Sequence, residues 1–217
     1  MSELQPLALL GEGVLWEDGD VRVHLVRPGS FGFAEIVRLR GTVTDGPRSD
    51  AVDEYSTHYA LYQGHRLKVW YRVTQAERGP LDCEASYPEG LIEAFRPALA
   101  SSGRLGRHPE DHGRSSLVNV ALRCGWDHQL RHGARLDVIN SRPSLTSYYQ
   151  RLGYSTLPGW SFVHPRTNLI HDFRAFVPAC DAPRVWGDLF ASIPLETALP
   201  LRERLQGYAR ELDLRAQ

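Results

Sequence analysis

The strongest patterning in the chain lies between Tyr55 and Thr74, YSTHYALYQGHRLKVWYRVT, where two runs of aromatic and β-branched residues flank Gln63-Gly64-His65. Such side chains suit a pleated, half-buried surface, and a short interruption containing Gly suits a turn, so the segment predicts a hairpin at the middle of a sheet. Residues 13 to 26, VLWEDGDVRVHLVR, predict an N-terminal hairpin around Glu17-Asp18-Gly19-Asp20, because Asp-Gly supplies the positive-φ positions of a tight turn. Between the hairpins, Ser30 stands as an N-cap before an imperfect apolar stripe of Phe31, Ala34, Ile36, Val37 and Leu39, which predicts a helix to about Arg40. Gly41 to Asp53 has no periodicity and reads as a loop.

Further along, Pro88 leads into a short helix, GLIEAFRPAL, that Pro97 must end. Ala98 to Arg107 predicts a strand and Pro109 to Ser116 a polar loop. Leu117, Val118, Ala121, Leu122 and Trp126 recur at helical spacing, so a helix is expected from Ser115 or Ser116 to His132-Gly133, where Gly133 stops it. Arg135 to Asn140 predicts another strand, and Pro143 the first turn of a helix that carries Leu145, Tyr148, Tyr149 and Leu152 and stops at Gly153. Residues 154 to 163 and 168 to 177 read as the last strands. Two helices are expected after Ala182, the last being LRERLQGYARELDL, whose apolar stripe and alternating charge mark a docked surface helix.

The chain has 217 residues, 42% of them hydrophobic, and is expected to form one α+β domain with a core over about 12–177 and C-terminal helices over about 182–214. A net charge of −1 gives no global pull toward nucleic acid or anionic lipid, so a phosphate site must come from a local arginine cluster. Cys83, Cys124 and Cys180 contain no C-x-x-C pair, which argues against a disulfide framework or a thiolate metal site and fits a reducing cytoplasm. No basic leader precedes the short apolar LALL, and no run reaches the length of a membrane span, so a soluble cytoplasmic protein is expected.

Three features carry candidate chemistry. His112-Gly113-Arg114-Ser115-Ser116, at the start of a predicted helix with Arg107 nearby, offers unpaired N–H groups and positive charge to a phosphate. Arg72 and Arg104 project from predicted central strands, where an unpaired charge is costly, so each needs a carboxylate from a substrate or from Asp53 or Glu54. His108 with His112, and His128 with His132, are spaced i,i+4, but neither pair carries the Glu of H-E-x-x-H, and no metal is expected. There is no G-x-S-x-G for Ser-His-Asp chemistry.

Asn140 followed by Tyr149-Gln150-Arg151-Leu152-Gly153-Tyr154 resembles the strand-Asn and aromatic-Tyr-x-x-x-Gly-aromatic ending of the Gcn5-related N-acetyltransferase (GNAT) superfamily, and His108-Pro109 with His112 to Leu117 resembles the outline of its pyrophosphate loop. Val69-Trp70-Tyr71-Arg72, Gly79-Pro80, Tyr87-Pro88, Ser101-Ser102-Gly103-Arg104-Leu105 and Asp53-Glu54-Tyr55 resemble the branch holding acyl-homoserine-lactone synthases and long-chain N-acyl amino acid synthases. The resemblance implies a mixed, mostly antiparallel central sheet flanked by helices, and transfer of a medium or long acyl group from acyl carrier protein or acyl-CoA to the amine of an amino acid, amino-acid derivative or peptide. It implies Tyr149 or its neighbour Tyr148 at the leaving thiolate and His58 or Glu54 as base. Leu105, Arg107, His112, Gly113, Arg114, Ser115, Ser116 and Asn140 would meet the donor, and Trp70, Arg72, Ser102 and Arg104 the acceptor. Ser101 stands at the family's strand glutamate and Ser56 at its second aspartate. Acetyl transfer from acetyl-CoA and non-catalytic thioester binding are the alternatives.

Overall fold

The computed structural model describes residues 13–43, 48–111, 115–181 and 194–216. The chain forms two compact units, residues 1–74 with 102–129, and residues 75–101 with 130–217.

In the first unit, β1 (Val14–Asp18), β2 (Val21–Val26), β3 (Thr57–Gln63) and β4 (Arg66–Gln75) pair antiparallel in sequence order. The turns fall at Gly19 and Gly64, both at φ 58, as the two hairpin patterns predict. Strand alternation then sorts the aromatic residues. Ala60, Tyr62 and Trp70 pack with Val26, and with Ile36 and Leu39 of α1 (Phe31–Val43). Tyr59 and Tyr71 stack on each other at 4.8 Å. Tyr71 donates its hydroxyl hydrogen to the Ala121 carbonyl of α3 (Ser115–Arg131) at 3.1 Å, and Gln129 of the same helix donates to the Tyr59 hydroxyl at 2.6 Å.

Ser30 caps α1 as expected, its hydroxyl accepting from the Phe33 N–H at 3.2 Å. The helix runs past Arg40 to Val43, because Arg40 itself lies on the buried face. The expected loop up to Asp53 instead ends in a 3-10 turn, Ala51–Glu54.

In the second unit, the start of β5 (Leu99–Arg107) runs parallel to β6 (Leu136–Ser141) through Leu99–Leu136 and Ala100–Asp137. β8 (Ile170–Phe176) pairs antiparallel with β6 and with β7 (Ser155–Val163). α2 (Leu91–Phe95), α4 (Thr146–Arg151), α5 (Pro178–Asp181) and α6 (Leu195–Ala216) complete the unit. Its core joins Tyr87, Leu91 and Phe95 to Leu136, Val138, Phe173 and Leu205. α6 docks by apolar and polar contact together: Arg204 lies 5.1 Å above the Phe95 ring, and the Tyr208 hydroxyl donates to the Glu89 carbonyl at 2.6 Å. Pro143 opens a 3-10 turn, Pro143–Leu145, and α4 follows it. Gly153 ends the helix at φ 98, where a Cβ would stand 2.4 Å from the Asp181 carbonyl oxygen. The first of the two helices expected after Ala182 falls outside the described residues.

The fold class is the expected α+β: among the described strand pairs only β5–β6 is parallel, with helices flanking the strands and one at the C-terminus. One close approach tests the packing. A Cβ on Gly125 of α3 would fall 1.5 Å from the Tyr71 hydroxyl oxygen. Gly125→Ala is therefore expected to cost about 1–3 kcal/mol in urea unfolding, and Tyr71→Phe in the same chain should recover part of that loss.

Candidate active site

The first unit buries a cluster of opposite charges. Arg40 places Nη1 at 3.0 and 2.9 Å from the two carboxylate oxygens of Asp53. Arg72 of β4 places Nη1 at 2.8 Å from Asp53 Oδ1 and 2.5 Å from Asp50 Oδ1. Arg104 of β5 reaches Asp50 Oδ2 at 2.6 Å. The Arg40, Arg72 and Asp53 side chains are 1%, 1% and 2% exposed. Burial alone would push the Asp53 carboxyl up, but the guanidiniums of Arg40 and Arg72 outweigh it and hold it below its ordinary value. Asp50 is held well below the carboxylate range against the same burial by Arg72 and Arg104.

His58 of β3 joins this cluster. Its Nε2–H donates to the Asp53 carbonyl at 2.9 Å, and burial, the largest influence, lowers its pKa to about 4. His58 is thus a neutral imidazole with no exposed surface. Glu54, the other predicted base, is exposed at the end of the 3-10 turn. The carboxylate needed by Arg72 is Asp53, as one reading of the sequence had it, together with Asp50. Arg104 takes Asp50 as well.

Around the cluster, Trp70 is buried against Val26 and Leu39, and a Cβ on Gly106 would come within 2.3 Å of its ring. Arg104 sits at φ 55, a left-handed backbone in the middle of β5. Ser102 and Leu105 are half-buried and Arg107 is exposed. Of the predicted phosphate loop, His112, Gly113 and Arg114 lie outside the described residues. Ser115 begins α3, as expected for the helix start, and Ser116 is exposed on its first turn.

The second unit holds the remaining predicted residues. Tyr149 on α4 is half-buried, its ring 5.2 Å from that of Tyr148 and 5.5 Å from that of Tyr154. Burial pushes the Tyr149 phenol above its ordinary value, so it keeps its hydrogen at neutral pH. Tyr154 donates to the buried Asp137 carboxylate at 2.5 Å. Arg174 of β8 ties the end of β6 to the head of α4, reaching Ser141 Oγ and Thr146 Oγ1, each at 2.6 Å. Asn140 Oδ1 lies 2.8 Å from His171 Nδ1. Ser101 is bonded by the Tyr87 hydroxyl at 2.9 Å, a contact that occupies it within the core.

Sequence reasoning missed Asp50 and Arg40. Arg40 stands four residues after Ile36, so a charge fell on the apolar stripe of α1, which was the available signal. Asp50 precedes Asp53 by one turn, and its backbone N–H donates to Asp53 Oδ2 at 3.1 Å.

By sequence, no family model and no curated protein matches the chain. By structure, it is similar to FeeM, an N-acyl amino acid synthase from uncultured soil microbes, with TM-score 0.59 at 17% identity, covering 76% of this chain and 97% of FeeM. The AHL synthase LasI gives TM-score 0.57 at 13% identity, covering 76% of this chain and 93% of LasI. An acyl-CoA N-acyltransferase from Pseudomonas aeruginosa gives 0.54 at 12% identity, covering 72% of this chain and 99% of that one. The chain therefore has the fold of the Gcn5-related N-acetyltransferases. Among the described residues, no group of three or more His, Cys, Asp and Glu could hold a metal ion, and no helix is long and apolar enough to cross a membrane.

The buried charges set an acid dependence. His58 is neutral when folded, and takes up a proton near 6.5 when unfolded, so its contribution is whole above that value and lost as pH falls toward 4. Asp50 and Asp53 are held below their ordinary 3.8, so theirs is whole above that value and lost beneath it. Urea unfolding from pH 8 to 3 should show stability falling first below 6.5 and then more steeply below about 4. Asp53→Asn leaves Arg40 and Arg72 short of their shared carboxylate and should cost about 3–5 kcal/mol at pH 7.

Proposed function

We propose that this protein is an N-acyltransferase that moves a medium or long acyl group from an acyl thioester, carried by acyl carrier protein or coenzyme A, to the amine of an amino acid, amino-acid derivative or peptide. The observation that carries the reading is the coincidence of fold and motif. The Asn140, Tyr149 and Gly153-Tyr154 set falls on β6, α4 and the φ 98 turn after it, in a chain similar over more than nine-tenths of their length to FeeM and LasI.

The reaction is direct. The unprotonated amine nitrogen attacks the thioester carbonyl carbon, a carbon–nitrogen bond forms, the carbon–sulfur bond breaks, and the proton lost from nitrogen leaves with the carrier thiol. A phenol held above its ordinary value does not surrender its proton to a thiolate, which is the weaker base. Tyr149 therefore acts by donating a hydrogen bond to the sulfur as its charge develops. His58, neutral and without exposed surface, serves the charge cluster rather than the amine.

The test is release of free thiol from decanoyl-CoA and from decanoyl acyl carrier protein with amino acids, amino-acid amides and short peptides as acceptors. The reading predicts turnover that requires the amine and favours decanoyl over acetyl. Faster transfer from acetyl-CoA would make this an acetyltransferase, and thermal stabilisation by thioesters without turnover would make it a binding protein. Tyr149→Phe should lower kcat about a hundredfold with little change in KM for the thioester. An unchanged kcat would remove Tyr149 from the chemistry.

A further inference from the structure

The three cysteines are nucleophilic side chains that the acyl-transfer reading leaves without a role, and all three are half-buried free thiols. Exposure does not distinguish them; their surroundings do. The thiolate is the nucleophile in cysteine chemistry, so a thiol that meets a hydrogen-bond donor at sulfur reacts ahead of one whose charged form burial opposes.

Cys124 on α3 and Cys180 on α5 are of the second kind. Burial above all pushes the Cys124 thiol up to about 11, with Arg123 opposing and Asp127 assisting. Burial, then Asp181, pushes the Cys180 thiol up against the pull of Arg202. At neutral pH both keep their hydrogen on sulfur.

Cys83 is of the first kind. It stands at φ 58, just before the 3-10 turn Glu84–Ser86, in a left-handed backbone that a residue with a Cβ keeps only where its surroundings hold it. His164, 5% exposed at the end of β7, places Nε2 at 3.4 Å from the Cys83 sulfur. The Arg166 backbone N–H donates to His164 Nδ1 at 3.2 Å, so Nδ1 is the acceptor nitrogen and Nε2 carries a hydrogen toward sulfur. The His171 ring packs against that imidazole at 4.4 Å. Asp82 Oδ1 accepts from the thiol at 3.5 Å, and the Arg166 guanidinium pairs with Oδ2 of the same carboxylate. When the thiol hydrogen leaves, the sulfur therefore keeps an N–H donor in His164, and Arg166 offsets the charge of Asp82. All four residues belong to one unit.

We infer that Cys83 is the reactive thiol of this chain, a modification site for low-molecular-weight disulfides at which His164 stabilises the attacking thiolate by donating its Nε2–H to sulfur. The inference does not rest on the acyl-transfer reading. The thiolate attacks one sulfur of the disulfide, a bond forms between that sulfur and Cys83 Sγ, and the bond between the two disulfide sulfurs breaks. Cys83 is oxidised, and the departing half is reduced, leaves as a thiolate and takes up the proton that Cys83 lost. The product is a mixed disulfide that a dithiol reverses.

The test exposes the reduced full chain to glutathione disulfide at neutral pH and follows each cysteine by peptide mass spectrometry. Cys83 should take up glutathione about tenfold faster than Cys124 or Cys180, and dithiothreitol should remove it. The difference should vanish in urea, where the fold no longer supplies His164. His164→Phe should slow Cys83 about 3- to 10-fold and leave the other two cysteines unchanged, and His164→Gln, whose carboxamide also donates, should restore part of the rate. Circular dichroism checks that each variant is folded, and where His164→Phe does not fold, the wild-type comparison of the three thiols decides by itself. Equal rates in the folded chain, faster reaction at Cys124 or Cys180, a difference that persists in urea, or a folded His164→Phe chain that reacts as fast as wild type overturns the inference.

Discussion

The first unit depends on the sharing of Asp53 between Arg40 and Arg72. Two guanidiniums on α1 and β4 are almost wholly withdrawn from water, and a cation in that position persists only when it is paired and hydrogen-bonded. Asp53 receives both, and the 3-10 turn that carries it also aims its carbonyl at His58. Asp53 thus joins the helix and β4 through its carboxylate, and β3 through its carbonyl. Arg104, in a left-handed backbone that a side chain rarely adopts, is held through the same system by Asp50. The geometry of β5 in this unit is therefore tied to charges rather than to apolar contact alone.

The second unit solves the equivalent problem differently. Its strands are held by an apolar core running from Tyr87 and Phe95 to Phe173 and Leu205, with buried polar contacts made pair by pair instead of through one shared carboxylate. Arg174 satisfies Ser141, Thr146 and Asp172, all near the end of β6. Asp137 is answered by the Tyr154 hydroxyl.

Local patterning made most of the elements legible. The two hairpins, the capped start of α1, α3 from Ser115 and the Gly153 stop all follow from residues that act within a few positions of themselves. What was illegible depended on distant partners. Gly41 to Asp53 has no period, yet Asp50 and Asp53 order its end by meeting arginines from α1, β4 and β5. The sequence did indicate that Arg72 and Arg104 needed carboxylates. It did not indicate which, because the choice between a substrate and Asp50 is made by the folded arrangement.

The charge cluster also bears on what a substrate carboxylate would encounter. Asp53, at 2% exposed, is enclosed by the arginines it serves, and displacing it would uncover two buried cations. Asp50 is 16% exposed, and Arg104 beside it 8%. A ligand carboxylate that reached Arg104 would therefore compete with Asp50 and not with Asp53, exchanging one ion pair for another with little net gain. A ligand's acid group is then a poor source of affinity at this cluster.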